Sequence, residues 1–171
     1  MAVSDTSKVE EILKRVEALR SMSVKVGILS SADGEILMIA NVHEFGKEIE
    51  VTDKMRGFFL YKFGVGLRKD TRVIKIPERS FIRSSFDARK EKMGEHGDKL
   101  MEMVINGDLE ARSFYEMLGQ TASVAIKNYL INNVVAPPDT ELTIKNKHGK
   151  SNPLVNTGRL VNSIDYEIVG G

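Results

Sequence analysis

Residues 72–83, RVIKIPERSFIR, set the order strand, stop, helix at the middle of the chain. Residues 72–76 alternate as a strand does, and Pro77, which cannot donate a ladder hydrogen bond, ends it. Ser80 is placed to cap a helix, with Phe81 and Ile82 free to drop into a core or a neighbour. The helix then runs over about 80–105, with Ile82, Phe86, Met93, Leu100 and Val104 on its apolar face. Gly94 and Gly97 weaken its middle by about 1 kcal/mol each relative to alanine. Asn106-Gly107 terminates it, and Asp108 is placed to cap a second helix reaching to about residue 132. Tyr115, Leu118, Ala122, Ala125, Ile126 and Tyr129 mark the face of that helix. So short a connection predicts an antiparallel pair, and Pro137-Pro138 closes the helical region.

Upstream, residues 48–51 alternate too and can pair with 72–76 as the arms of a hairpin. Between them an insert at 52–70 reads as a helix capped by Thr52, with Met55, Phe58, Phe59 and Phe63 as its apolar members. Three of the seven phenylalanines lie there, a load that has to pack on the core or on a partner. Before it come a strand in VKVGIL (24–29), a turn at 30–34, and a short helix over 35–45 closed by Gly46. A first helix spans 8–20, with Ser7 and Glu10 as a capping box. Downstream, residues 145–152 are polar and read as a mobile loop, 156–162 as one or two helical turns, and 163–169 as a terminal strand. The expected fold is one α+β domain over residues 1–171. In it a small antiparallel sheet packs against two long antiparallel helices, with a short helix at the amino terminus.

Composition narrows the chemistry. A chain of 171 residues, 42% hydrophobic and without cysteine, can bury a core without staples and has no thiolate chemistry. The lack of cysteine agrees with a reducing compartment. Eight methionines slightly favour adaptable packing. A net charge of +1 supplies no global field for nucleic acid. No apolar run approaches the length of a membrane span, and the first residues lack a secretory apolar core.

Motifs for catalysis are absent. His43-Glu44 lacks the second histidine of a zinc-protease helix, because position 47 is Lys47. The histidine reads as one that satisfies a local hydrogen bond at a helix end. Gly64-Val65-Gly66 follows a helix and lacks the third glycine of a dinucleotide fingerprint, so it reads as a helix terminator. There is no phosphate loop and no nucleophile elbow. No catalytic, cofactor-binding or metal-binding residue is therefore expected. Arg79, Arg83, Arg89, Lys90 and Lys92 interleave with Asp87, Glu91 and Glu95, as on a solvated helix face. Lys145, Lys147, His148 and Lys150 form a purer cationic patch, which gives the alternative reading of a non-specific nucleic-acid-binding module.

Taken in order, VKVGIL, IANVHEFG (39–46), TDKMRGFFLYKFG (52–64), IPERSFIRSSFD (76–87) and PLVNTGRLVNSIDYEIV (153–169) resemble the neck and tail-completion proteins of tailed bacteriophages and prophages. The family often has a proline where this chain has Ser80, and the first helix is a less familiar addition. The resemblance implies a non-catalytic virion morphogenesis protein without cofactor, assembling as a homo-oligomeric ring at the head–tail junction or the head-proximal end of the tail. Its implied partners are other neck and tail proteins; the cationic loop adds an expected non-specific contact to DNA, and the lack of a long apolar run leaves none expected to membrane. It would reside in the host cytoplasm during assembly and then in the virion. Phe58, Phe59 and Phe63, with the loop carrying Lys145, Lys147 and Lys150, are the partner-facing residues on that reading.

Overall fold

A computed structural model describes residues 4–134 and 158–171. In chain order the elements are α1 (Ser4–Arg20), β1 (Met22–Ile28), α2 (Gly34–Phe45), β2 (Lys47–Glu50), α3 (Asp53–Phe63) and β3 (Val73–Ile76). They continue with α4 (Ile82–Asn106), α5 (Ala111–Asn132), α6 (Arg159–Asn162) and β4 (Ile164–Gly170). The fold is α+β, as the patterning predicts, but its strands form two separate antiparallel pairs. Terminal strand β4 returns to lie against β1, with Met22 opposite Gly170 and Ile28 opposite Ile164. The hairpin strands β2 and β3 pair only with each other among the described residues, Lys47 facing Ile76 and Glu50 facing Val73.

Helix α5 is the spine of the body. One side lies against the β1–β4 ladder and another against α4, which runs antiparallel to it. Gly119 makes the first contact close: a Cβ there would stand 2.4 Å from the Tyr166 ring and 2.9 Å from Val24. The main core gathers Ile36 and Ala40 of α2, Phe81, Ile126 and Leu130 of α5, Val134, Leu160 of α6 and Ile164 of β4. A second core forms where the end of α1 meets the α4–α5 turn, from Leu19, Leu100, Val104, Ala111 and Phe114. The Tyr115 hydroxyl donates to the Leu19 carbonyl at 2.8 Å, and Arg15 donates to the Ile105 carbonyl at 2.8 Å. These two bonds pin α1 to the body by its carboxyl-terminal half. The rest of its apolar stripe stays in solvent, with Val9 and Leu13 exposed.

Several local expectations change. Helix α1 begins at Ser4, so Ser7 lies inside it rather than at its cap. Helix α5 starts three residues beyond Asp108, whose backbone N–H closes α4 by donating to the Met103 carbonyl; no side chain caps α5. The insert does not pack on either core: no residue of α3 is buried, and residues 47–76 enter neither cluster. Arg79, expected on a solvated face, is buried. Pro137-Pro138 and the 145–152 stretch lie outside the described residues.

Candidate functional site

Three of these motifs, HEFG, IPERSFIR and GRLVNSI, meet at α2. At its amino terminus, Asp33 accepts a hydrogen bond from the Glu35 backbone N–H at 2.8 Å. Arg159, from GRLVNSI, donates to the Glu35 carboxylate at 2.9 Å and lies 3.7 Å from that of Asp33. Gly158 allows this approach by taking a left-handed φ of 80° just before α6. Leu160 and Ile164 then bury their side chains beside Ile36 and Ala40.

At the other end of α2 stands Glu44, a carboxylate only 5% exposed. Its Oε2 accepts the backbone N–H groups of Phe81 and Ile82 at 2.9 and 3.0 Å. Its Oε1 accepts from the Arg83 N–H at 3.0 Å, the Ser80 hydroxyl at 2.8 Å and Arg83 Nε at 3.1 Å. Glu44 thus supplies the cap of α4 from a residue far upstream. A carboxylate suits this position, because the first-turn N–H groups of a helix have no intrahelical partner and carry a partial positive charge. Ser80, which the sequence marks as the cap, holds a lesser role: its hydroxyl takes the Ser84 N–H at a long 3.4 Å while orienting Glu44. Burial pushes the Glu44 pKa upward, but the N–H groups of Arg83, Ile82 and Phe81 and the Ser80 hydroxyl outweigh it and hold the carboxyl below its ordinary value.

The neighbours of Glu44 complete the joint. The His43 carbonyl accepts the Arg79 N–H at 2.7 Å. The Arg83 guanidinium sits 4.6 Å above the Phe45 ring, donates to the Glu44 carbonyl, and pairs with Glu78 at 2.9 Å. Gly46 has φ 69°, and a Cβ there would meet the Glu78 nitrogen at 3.0 Å and the Ile76 carbonyl at 3.1 Å. Every residue of HEFG therefore touches or admits the segment IPERSFIR. With its lone pairs taken by five donors, Glu44 is a structural anion rather than a proton acceptor. Among the described residues no group of three or more histidine or carboxylate side chains is placed to hold a metal.

The partner-facing residues named from sequence lie elsewhere. Phe58, Phe59 and Phe63 pack on one another at centroid distances of 5.6–6.2 Å in the β2–α3–β3 arm. Thr52 caps α3 through the Met55 N–H, and Gly64 ends it in the left-handed conformation, both as expected. Arg56 ties the returning loop to the helix, donating to the carbonyls of Arg68 and Thr71 at 2.7 and 2.6 Å. Sequence patterning had no signal for that clamp. Tyr61 is 92% exposed, and Phe58 and Leu60 are also largely in solvent. Lys145, Lys147 and Lys150 lie outside the described residues. Among the described residues, no helix is long and apolar enough to cross a membrane.

No protein-family model, no curated protein and no solved structure matches this chain.

Proposed function

We propose that this protein is a structural component of phage or prophage morphogenesis, completing the tail or joining it to the head as a ring-forming neck protein. The observation that carries the reading is the division of labour around Glu44. HEFG and IPERSFIR are joined there by hydrogen bonds, GRLVNSI meets the other end of the same helix and shares the main core, and the aromatic arm of the same resemblance buries nothing in the body. Such a molecule acts through contacts: a rigid corner carries an apolar projection for another protein to cover. On this reading it works in the host cytoplasm during assembly and remains in the virion.

Deleting the gene in its native genome, inducing particle production and imaging the lysate by negative-stain microscopy tests the reading. Filled heads and tails that fail to join, or tails without a finished head-proximal end, are expected. A gene standing apart from capsid, portal and tail genes, or a deletion strain that still yields joined infectious particles, overturns it.

A further inference from the structure

Two surfaces of this chain complement each other. The first is a groove of about 780 Å³ on the body, walled by β1 and α4 and floored by α5. Val24, Val26, Met93, Leu118 and Ala122 make it mainly apolar, Arg83, Asp87 and Lys90 also line it, and Phe86 at its rim is 57% exposed. No β4 residue lines it, so the groove lies along the edge of β1 that β4 leaves unpaired. Next to it, Asp87, Glu91, Glu95, Asp98 and Glu102 recur at intervals of four, four, three and four, which sets all five carboxylates on one exposed stripe of α4. None of the five forms an ion pair among the described residues.

The second surface is the arm. Between Thr52 and Arg72 it carries six basic residues against Asp53 and Asp70, a surplus of four on a chain whose net charge is +1. Lys54, Phe58, Tyr61 and Lys62 share the outward face of α3, and all four are exposed. Lys54, Lys62, Arg68, Lys69 and Arg72 have no carboxylate partner among the described residues. The lengths agree as well: at about 1.5 Å per residue, α3 spans about 16 Å and the groove wall from Ile82 to Gly97 about 22 Å.

We infer that the arm of one copy seats in the groove of the next, with Phe58 and Tyr61 over the apolar floor and Lys54 and Lys62 along the acidic stripe. The contact joins unlike surfaces of identical chains, so a bound pair still has one free groove and one free arm, and repetition closes a ring or extends a filament. Charge complementarity sets the orientation, and apolar burial supplies the affinity. This inference rests on the assembly reading above and identifies its first partner as a second copy of the chain.

Sedimentation velocity on the full chain over a wide concentration range tests it, using three charge variants and one blocked groove. K54E/K62E and E91K/D98K should each weaken association about tenfold or more, and the chain carrying all four changes should regain it. Gly94→Trp should abolish association, because a Cβ at Gly94 has open space within 4 Å and the indole would occupy the groove. All four charged side chains are exposed, and unchanged thermal melting confirms that each variant folds. A wild-type protein monomeric at every concentration overturns the inference and leaves the groove to another occupant. So does association indifferent to both charge variants. Arm-dependent binding of a duplex oligonucleotide by a protein that stays monomeric overturns it in favour of nucleic acid. The gene-deletion phenotype is read independently, so unjoined particles together with a monomeric protein would leave the assembly reading standing and remove only this contact.

Discussion

The corner around α2 and the β2–α3–β3 arm are joined through Gly46 and Pro77, yet they spend their side chains in opposite ways. At the corner Phe81 is fully buried, Glu44 satisfies five donors, and Arg159 and Arg83 each bridge two elements. In the arm no helical residue is buried, and the rings of Phe58, Phe59 and Phe63 find mainly each other. The motif residues that look most distinctive are thus the ones already engaged within the chain. The surface left for a partner is the less patterned, cation-rich helix between the strands.

Substitutions should separate the two regions by size of effect. Phe81→Ala removes the largest fully buried side chain and should cost about 4 kcal/mol in urea unfolding, since the cavity opens in the main core, which α2, α5, α6 and β4 build together. A loss below about 1 kcal/mol would mean that the corner is looser than the described contacts imply. Gly119→Ala should cost about 2 kcal/mol, because its methyl would collide with Tyr166 and Val24 across the α5–sheet contact. Tyr61→Ser should stay within about 0.5 kcal/mol of the parent while weakening self-association, the signature of a side chain that serves only between molecules. A large stability loss there would make the arm part of the fold and erase the contrast.

Much of the fold is legible in sequence, because most of its signals are local. Apolar spacing gives α1, α4 and α5, alternation gives β1, β4 and the hairpin, and Thr52 and Gly64 bound α3 by the chemistry of caps. What was not legible depends on residues distant in the chain. Ser80 has the local look of a cap, but Glu44 holds the first turn of α4 from 39 positions before Arg83. Asp108 has the same look, yet the turn after Gly107 takes its N–H for α4 instead. Val9 and Leu13 have helical spacing without a body to cover them. The single expected sheet divides because β4 returns to β1 and not to the hairpin, a pairing that alternation alone does not specify. In sequence Asp87, Glu91 and Glu95 read as part of a mixed-charge, solvated face, and the stripe they form with Asp98 and Glu102 stands out only beside the groove.

The account depends most on Glu44 as an ionised joint between the motifs. Its folded-state pKa lies below the ordinary value of 4.5. Its contribution to stability is therefore complete above about that pH and is lost as the pH falls through the lower folded value. Urea unfolding of the parent and of Glu44→Gln, compared from neutral pH downward, measures this directly. The variant should be less stable by about 3 kcal/mol at neutral pH, with the gap narrowing below about pH 4.5. A gap that is absent at neutral pH, or that keeps the same size through the acid range, would contradict the claim that this carboxylate locks HEFG to IPERSFIR.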